Sequence, residues 1–548
     1  MTKQRANASF AGIALFLFAT TLAAQVTEEW VARYDGPASG RDEARAMVID
    51  DSGNVYVTGY SDGSGTLDDY ATVKYNSSGT VQWVARYDGP ASYGDDAKAI
   101  AIDAAGNVYV TGDSWGSRTT YATVKYNSSG VEEWAARYDE PESYGDYATA
   151  IAVDDAGNVY VTGYSYGLDF FGYDYVTVKY SPNGEEQWVA RYDGPVSGRN
   201  IANAIAVDGA GNVYVTGWSD GSGTHPDYAT IKYSPSGAEL WVARYDGPAS
   251  DVDAAWAMAI DDKGNIYVTG ESDGSGTGKD YTTVKYDSSG VEQWVARYDG
   301  LVSSIDEAYA IALNGSGNVY VTGYSYGSGT DFDYATVKYD SSGVEQWVAR
   351  YSVSADFADE LRPTIAVGGS GNVYITATSQ FEDTEYDYVT IKYNSAGEEQ
   401  WIVRYNGPGN DDDAAVAIAV DNSDNVYVTG YSMGEGTSYD YATIKYSQGP
   451  GVAEASPDVP GHRLEVAQLT PEPVITYTLP SSSSISLKVY DVTGKLVRTL
   501  VSGNQEAGTH TACWDARNDS NQQVSAGLYF VLLETADYRA TGKLVVVR

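Results

Sequence analysis

A period of about 53 residues is the feature that most constrains what this chain can fold into. A tryptophan within a segment such as Trp83-Val84-Ala85-Arg86-Tyr87 recurs eight times, at intervals of 51 to 54 residues. Self-similarity at this period is typical of solenoids and propellers, in which a unit buries its apolar surface only against its neighbours. The eight tryptophans are Trp30, Trp83, Trp134, Trp188, Trp241, Trp294, Trp347 and Trp401.

Each period contains four strand-like stretches. They are short, rich in β-branched and aromatic residues, and bounded by Gly, Asn, Asp or Ser, and no stretch has a helical period of useful length. Residues 51–53 and 76–79 provide the Gly and Asn that tight hairpin turns need. The sequence therefore predicts an all-β propeller with four antiparallel strands per blade. In the first full unit the predicted strands are Ala46 to Asp50, Asn54 to Gly59, Tyr70 to Tyr75 and Gln82 to Tyr87.

The strands are out of phase at the two ends of the repeat. The tryptophan strand, Glu28 to Tyr34, comes before the other three, and the last unit stops after Tyr441 to Tyr446 without a tryptophan strand of its own. An N-terminal strand that completes the last blade would hide an exposed sheet edge. We therefore predict an eight-bladed β-propeller whose ring is closed by the N-terminal strand.

The repeat core resembles a known bacterial family. The segment Asp50-Asp51-Ser52-Gly53-Asn54-Val55-Tyr56-Val57-Thr58-Gly59 and its relatives are similar to SBBP β-propeller repeats, over about residues 27–446. The resemblance implies the propeller fold and says little about function. The family is named for seven blades, whereas the strands here count to eight. The seventh unit departs from the pattern, with Ala377 in place of the glycine and Ser352 in place of the Asp that follows Tyr.

The two ends of the chain differ from the repeat. Lys3 and Arg5 precede an apolar stretch and small residues, which predicts a signal peptide over 1–24 and therefore an extracellular or outer-surface location. After the propeller, 27–446, we predict a linker at 447–463 and an Ig-like β-sandwich at 464–548, with Trp514 as its single tryptophan. We expect no transmembrane segment in the mature chain.

The C-terminal segment carries a second resemblance. Val489 to Lys495, Ala526 to Phe530 and Gly542 to Arg548 resemble the C-terminal sorting domains of type IX secretion and the Ig-like domain of flagellar hook-capping proteins. The resemblance implies export through the outer membrane or surface attachment, with the export machinery as partner. Thr470-Pro471-Glu472-Pro473 stands where such domains usually have an Asn-Pro stretch. The alternative is an Ig-like spacer without a sorting role.

Charge and composition exclude several functions. The formal net charge of −41 argues against nucleic acid as a partner. His225, His462 and His510 are too dispersed to form a catalytic triad or a histidine metal site within the propeller, so no catalytic residue is assigned. Cys513, beside Trp514, is expected to be buried.

The loops are the predicted ligand-binding surface. Loops between the second and third strands and loops between blades open on one face of a propeller, and here they vary far more than the strands. The repeated Arg86-type and Lys74-type residues are expected to pair with Asp residues between sheets instead. The candidate ligand-binding residues are Asp62, Trp115, Tyr166, Phe170, Phe171, Trp218, Asp220, Tyr326, Asp95 and Asp412.

Two functions and one cofactor follow from these loops. The leading hypothesis is a non-enzymatic binding, scaffold or display protein whose partner is a macromolecule or glycan. The alternative is an extracellular carbohydrate-active enzyme, a hydrolase or lyase that uses loop carboxylates. Calcium is the one candidate cofactor, held by the hard oxygen ligands of Asp62, Asp68 and Asp69, although such loops also occur as ordinary turns.

Overall fold

The computed structural model describes most of the chain. The predicted signal peptide, most of the predicted linker, Phe170, Phe171 and Thr470-Pro471-Glu472-Pro473 lie outside the described residues. Val26–Gln448 form one compact unit, and the C-terminal strands belong to a second. Among the described residues there is no helix with the length and hydropathy of a membrane span. The structure describes residues 26–91, 93–141, 143–167, 172–223, 225–327, 332–352, 362–381, 384–448, 463–467, 474–491, 495–519, 522–524, 527–535 and 538–546.

The first unit consists of four-stranded antiparallel sheets that follow one another along the chain. The first strand of each sheet contacts the first strand of the next. Sheet 1 contains β2 (Asp42–Ile49), β3 (Val55–Asp62), β4 (Asp68–Tyr75) and β5 (Val81–Tyr87); sheet 2 contains β6 (Asp95–Ile102), β7 (Val108–Trp115), β8 (Thr119–Tyr126) and β9 (Glu132–Tyr138); sheet 3 contains β10 (Ser143–Val153), β11 (Val159–Gly167), β12 (Tyr173–Tyr180) and β13 (Glu186–Tyr192); sheet 4 contains β14 (Asn200–Val207), β15 (Val213–Asp220), β16 (Pro226–Tyr233) and β17 (Glu239–Tyr245).

The remaining sheets of this unit repeat the same order. Sheet 5 contains β18 (Asp253–Ile260), β19 (Ile266–Gly274), β20 (Gly278–Tyr286) and β21 (Glu292–Tyr298); sheet 6 contains β22 (Asp306–Leu313), β23 (Val319–Tyr326), β24 (Phe332–Tyr339) and β25 (Glu345–Ser352); sheet 7 contains β26 (Thr364–Val367), β27 (Val373–Phe381), β28 (Thr384–Tyr393) and β29 (Glu399–Tyr405); sheet 8 contains β30 (Asp413–Val420), β31 (Val426–Met433), β32 (Tyr439–Gln448) and the N-terminal β1 (Val26–Tyr34).

The predicted pairing of the N-terminal strand is present. Strand β1 lies antiparallel to β32, with Tyr34 opposite Tyr441 and Trp30 opposite Lys445. The all-β class and the four-stranded antiparallel repeat are confirmed. The strands extend further toward the loops than predicted: β2 begins at Asp42 rather than Ala46, and β3 ends at Asp62 rather than Gly59. Polar residues at these ends continue the ladder because their side chains find partners between the sheets, as described below.

The Asp-x-x-Gly-Asn-Val-Tyr core of the repeat builds the turn between the first and second strands. Asp50 accepts hydrogen bonds from the backbone N–H groups of Ser52 and Asn54, each at 2.9 Å, and from the Tyr56 hydroxyl at 3.0 Å. Gly53 completes the turn with a φ of +73°. Burial acts to raise the pKa of Asp50, but these hydrogen bonds outweigh it and the pKa is lowered.

Seven of the eight repeated tryptophans donate a hydrogen bond from their own sheet to the next one, whereas the buried Nε1 of Trp401 has no partner among the described residues. Trp30 of sheet 8 donates its indole N–H to the Ser77 carbonyl of sheet 1, at 3.1 Å, and Trp83 of sheet 1 does the same to Ser128 of sheet 2, at 3.2 Å. The ring packs on the glycine of that turn: a Cβ on Gly79 would lie 2.6 Å from the Trp30 ring. Glycine is thus required at position 79 for two reasons: its φ is +79°, and a side chain there would collide with the tryptophan ring.

The C-terminal unit is a two-sheet structure around Trp514, which is fully buried. Ile485, Leu487 and Val489 alternate into its core as predicted. Cys513 was expected to be buried and is exposed, because successive strand residues point to opposite faces and Trp514 occupies the inner one. One sheet contains β33 (Arg463–Ala467), β34 (Val474–Leu479) and β37 (Gly508–Cys513), and the other β36 (Leu496–Gln505), β35 (Ser483–Asp491), β38 (Gly527–Glu534) and β39 (Arg539–Val546).

Removal of β1 is expected to destabilise the repeat unit. A chain that begins at Asp35 would lose the partner of β32 and would uncover Tyr427 and Tyr441, which are fully buried. Each large side chain exposed costs roughly 1.5–3 kcal/mol. We expect a lower Tm and aggregation through the open edge, measured by circular dichroism and light scattering. A chain that begins at Val26 is the control, and equal Tm values for the two would contradict the role of β1.

Candidate functional site: the loop face

The loops between second and third strands meet the inter-sheet connections at one edge of the sheets, which we call the loop face. The Arg41 N–H donates to Asp62 Oδ2 at 2.9 Å, and the Asp62 N–H donates back to the Arg41 carbonyl at 3.1 Å. Arg199 and Asp220 repeat the first contact at 2.8 Å. Both kinds of loop therefore share one edge, as the sequence predicted.

The seam between neighbouring sheets is organised by the repeated arginine. Arg86 Nη2 donates to Asp69 Oδ2 at 2.9 Å and to the Ser61 carbonyl at 2.7 Å, all within sheet 1. Its Nη1 donates to the hydroxyl of Tyr34 in sheet 8, at 3.0 Å. The expected pairing of the repeated arginine with an Asp of a neighbouring sheet is wrong. The ion pair lies within one sheet, and the contact to the neighbouring sheet is the hydrogen bond to the tyrosine hydroxyl. Lys74 reaches the Ser128 carbonyl of sheet 2, at 3.4 Å, rather than an Asp.

Asp95 lies below the loop face and not on it. It is fully buried at the start of β6 and accepts a hydrogen bond from the Gly89 N–H at 2.6 Å. Equivalent buried residues begin other sheets, among them Asp42, Asp253 and Asp413. Burial raises the pKa of these three to about 6, although the glycine N–H lowers it. Sequence alone could not distinguish such an Asp from an exposed loop carboxylate.

The three Asp residues suggested for calcium do not form one group. Asp62 and Asp68 are paired across β3 and β4, and burial together with the Asp62 carboxyl raises the pKa of Asp68 to about 7. Asp69 points to the other face of the strand, because neighbouring strand residues alternate. Among the described residues it approaches Asp88 and Asp95, with carboxylate oxygens within 4.8 Å of one another.

Exposed aromatic side chains occur together on the loop face of sheets 2 and 3. Tyr93, Trp115 and Tyr144 are 56%, 51% and 42% exposed. Tyr144 packs on Tyr166 with ring centroids 5.7 Å apart, and Tyr166 stacks on Tyr173 at 4.8 Å. We call these five residues the aromatic ridge. Trp115 and Tyr166 were predicted as site residues. The others were missed, although the connection after Asp139 departs from the Asp-Gly-Pro of most units.

Backbone contacts hold the ridge in place. The Trp115 N–H donates to the Gly94 carbonyl, next to Tyr93, at 3.3 Å. Arg118 Nη1 donates to the carbonyls of residues 140, 141 and 143 in the connection to sheet 3, at 2.8 to 3.1 Å. A parallel bridge between Thr119 and Gly145 joins sheets 2 and 3 at this point. The loops that carry the rings are thus fixed before any ligand arrives.

The other predicted residues are spread around the loop face. Arg199 lies over the Trp218 ring, 5.5 Å from its centroid, and beside Asp220. Tyr326 contacts Phe332 edge to face at 4.9 Å. Asp412 accepts a hydrogen bond of 3.4 Å from the Tyr439 hydroxyl. These residues belong to sheets 4, 6 and 8 and do not join the ridge, and Phe170 and Phe171 lie outside the described residues.

A charged group on sheets 1 and 2 was also missed. Lys98 lies 3.9 Å from Asp113 and bridges to Asp96, which is 3.7 Å from Arg45. Arg45 and Lys98 are each the fourth residue of the first strand of their sheet. The equivalent residues are Trp256 in sheet 5 and Tyr309 in sheet 6, and Arg362 lies 4.0 Å and 4.4 Å from the centroids of those two rings. Variation of this one position among otherwise similar units was the available signal.

One cavity of 460 Å³ lies at the opposite edge, between turns of sheets 3 and 4. Its lining includes Asp154, Asn158 and Asp208. Asp154 and Asn158 form the same turn that Asp50 and Asn54 form in sheet 1, so the lining is repeat structure. The loop face remains the better candidate site.

Repeated four-stranded antiparallel sheets with a variable loop face define the β-propeller class. The SBBP family, described as Beta-propeller repeat, matches residues 30–65, 82–117, 142–171, 188–223, 257–276 and 400–436. The FlgD Ig-like domain family matches residues 465–537. The chain therefore carries SBBP β-propeller repeats and, at its C-terminus, a FlgD Ig-like domain, as the two resemblances implied.

Individual relatives are distant. An uncharacterised WD repeat-containing protein of Acanthamoeba polyphaga mimivirus is 23% identical over 487 residues, which cover 72% of this chain and 33% of that protein. The chain thus spans about a third of that relative. PorZ, a surface component of the type IX secretion system of Porphyromonas gingivalis, is similar at 15% identity and a TM-score of 0.40, covering 91% of this chain and 65% of PorZ. A Bacteroides caccae protein of unknown function is 14% identical with a TM-score of 0.31, covering 51% and 89% of the two chains.

Asp113 is expected to make stability depend on pH. Burial raises its pKa from 3.8 to about 7; Lys98 lowers it, Asp96 raises it, and the Ala148 N–H lowers it. Between these values the folded state holds a proton that the unfolded state has lost, so stability falls as the pH rises from about 4 to about 7. Asp113→Asn has no carboxyl to ionise and therefore does not lose stability as the pH rises. Its free energy of unfolding should exceed that of wild type by about 1–3 kcal/mol at pH 8 and should be nearly equal to it at pH 4.

Urea unfolding at the two pH values measures this difference. Asp51→Asn, at an exposed position, is the control and should change neither value. A difference between Asp113→Asn and wild type that is the same at pH 4 and pH 8 would exclude the buried carboxyl as its source.

Proposed function

We propose that this protein is a non-enzymatic, exported binding module whose aromatic ridge holds an uncharged polymer, a glycan. The observation that carries the proposal is the exposure of Tyr93, Trp115 and Tyr144 on loops that are fixed by backbone contacts. Rings held rigid in this way lose little conformational entropy on binding. Large aromatic side chains also dominate the energetics of recognition surfaces.

Charge and shape favour a glycan over other polymers. The net charge of −41 repels nucleic acids and other polyanions. The C–H faces of sugar rings pack against aromatic faces, and sugar hydroxyls find hydrogen-bonding groups in a tyrosine-rich surface. Exposed rings carried by loops of neighbouring sheets can contact several consecutive sugar units, which favours a polymer over one small molecule.

The closed eight-bladed ring is part of the proposal. Support comes from the pairing of β1 with β32 and from contacts of β2 with β30, β31 and β32. The Tyr441 hydroxyl of sheet 8 also donates to the Ala71 carbonyl of sheet 1, at 3.0 Å. The same hydroxyl-to-carbonyl contact joins Tyr70 of sheet 1 to Ala122 of sheet 2, at 3.2 Å. The seam between sheets 8 and 1 thus has the chemistry of an interior seam.

Export and attachment are assigned to the ends of the chain. We place a signal peptide at 1–24, the propeller at 27–446, a linker at 447–463 and the Ig-like domain at 464–548. The FlgD Ig-like match supports an Ig-like C-terminal domain, and its role in export or surface attachment follows the sorting-domain resemblance. The mature protein would then face the extracellular medium, with the export machinery as its partner during secretion.

The loop carboxylates Asp62 and Asp68 do not have the spacing of a glycoside hydrolase pair. Asp62 and Asp68 are direct partners across β3 and β4, and the nearby Asp62 carboxyl helps to raise the pKa of Asp68. Retaining and inverting glycosidases hold their two carboxyl groups about 5–5.5 Å and about 6.5–9.5 Å apart, which leaves room for the sugar and for water. The Asp62–Asp68 pair is closer than either arrangement requires.

Glycan binding tests the function. A glycan array on the full chain, followed by titration of the best ligand, should give an affinity that falls about tenfold or more in Trp115→Ala and Tyr144→Ala, because each removes a stacking surface. Val131→Ala is the matched control, since Val131 is 59% exposed at the opposite edge of sheet 2. Binding that is unchanged in both aromatic variants would refute the ridge as the site, and turnover of a glycan would refute the non-enzymatic assignment.

A further inference from the structure

We propose that the seams between sheets contain four divalent-cation sites of the calcium class, each formed by three Asp residues. In each group the three carboxylate oxygens lie within 4.8 Å of one another. We call these groups the seam triads. They are Asp35–Asp42–Asp440, Asp69–Asp88–Asp95, Asp227–Asp246–Asp253 and Asp280–Asp299–Asp306.

Each triad draws on two neighbouring sheets in the same way. In the first, Asp440 lies on the third strand of sheet 8, Asp35 follows its fourth strand, and Asp42 begins the first strand of sheet 1. The other three triads repeat this order one or more sheets along. A cation bound there would therefore join two sheets, with a ligand from each.

Buried oxygens without hydrogen-bond partners provide an independent reason to expect a ligand. Asp440 is 5% exposed, yet its Oδ1 has no hydrogen-bond partner among the described residues. Oδ1 of Asp69 and Oδ1 of Asp280 likewise have no hydrogen-bond partner there, and these residues are 5% and 4% exposed. A buried, unsatisfied carboxylate oxygen is costly, and a cation in the triad would satisfy it.

The charge of each triad suits a divalent ion. Asp440 is bound to Arg33 at 2.8 Å, and Asp69 is bound to Arg86 at 2.9 Å. Three carboxylates and one guanidinium leave a net charge of −2. The exposed Asp of each triad (Asp35 in the first) gives the ion a route from solvent.

Distances and ligand type favour calcium. Ca²⁺ accepts six to eight oxygen ligands at about 2.3–2.6 Å in flexible geometry, so two of its ligands stand at most about 5 Å apart. The limit of 4.8 Å within each triad satisfies this condition. Mg²⁺ requires a tighter octahedral arrangement at about 2.0–2.1 Å.

Three of the other seams supply internal controls. Asn200 replaces the third Asp between sheets 3 and 4, Asn406 replaces the second between sheets 7 and 8, and Thr120 replaces the first between sheets 2 and 3. The same fold therefore accommodates seams with and without three carboxylates. An Asp→Asn change in a triad reproduces a residue that the chain already uses at this position.

Equilibrium dialysis of the full chain against calcium chloride tests the sites. We expect up to four ions per chain in wild type and one fewer in Asp35→Asn. Asp193→Asn is the matched control. Asp193 is exposed and takes the place of Asp35 in the seam between sheets 3 and 4, where Asn200 replaces the third Asp. Calcium should also raise Tm relative to a chelator, by ~2 °C or more in wild type and by less in Asp35→Asn.

Three results would overturn the proposal: no saturable calcium binding by wild type, an equal stoichiometry in wild type and Asp35→Asn, or a Tm that is the same in calcium and in chelator. Circular dichroism in chelator checks that Asp35→Asn is folded. Should that variant fail to fold, Asp88→Asn in the second triad gives the same comparison. Glycan binding by the ridge is measured separately, so failure of either proposal leaves the other intact.

Discussion

The repeated arginine between adjacent sheets is the interaction on which the rest of the repeat unit depends. Arg86 and its equivalents occupy a half-buried seam together with carboxylates that have left water, and an unpaired charge there would be costly. The guanidinium presents several donors in a fixed plane, so one side chain satisfies an Asp, a carbonyl and a tyrosine of the preceding sheet. A lysine could not make this set of contacts. The arginine thus fixes the angle between sheets and the ends of the strands from which the loops depart.

The sequence was informative about the strands because their pattern is local. The alternation of Val55, Val57 and their partners, and the missing tryptophan strand at the end of the repeat, were enough to predict the pairing of β1 with β32. The strand ends were not predictable in this way. In the sequence Asp42 and Asp62 resemble loop residues. In the structure their carboxylates accept hydrogen bonds from backbone N–H groups of the connection between sheets, and both residues belong to the strands.

The candidate site shows the same limit more strongly. Asp95 and Asp412 both stand in acidic connections, yet Asp95 begins a strand and is fully buried, whereas Asp412 precedes one and is partly exposed. Asp68 and Asp69 are adjacent, and the alternation of the strand sends them to different partners. A difference of one residue in register decides between a surface ligand and a seam ligand. Composition cannot provide that information, so the exposed Trp115 was predictable and the seam triads were not.

Two of the seams that lack three Asp residues lie on either side of sheet 3. Between sheets 2 and 3 Thr120 replaces an Asp, and between sheets 3 and 4 Asn200 does so. In both places a parallel backbone bridge crosses the seam, Thr119 with Gly145 and Tyr173 with Arg199. Asn200 also donates to the Tyr173 carbonyl at 2.8 Å, a contact that a carboxylate could not make.

Backbone pairing therefore joins sheet 3, which carries Tyr166 and Tyr173 of the aromatic ridge, to both of its neighbours. Tyr93 of the ridge, in contrast, lies in the connection between Asp88 and Asp95 of the second triad. The departures of the second, third and fourth units from the repeat pattern then have one physical cause: these are the units that hold the rings in place.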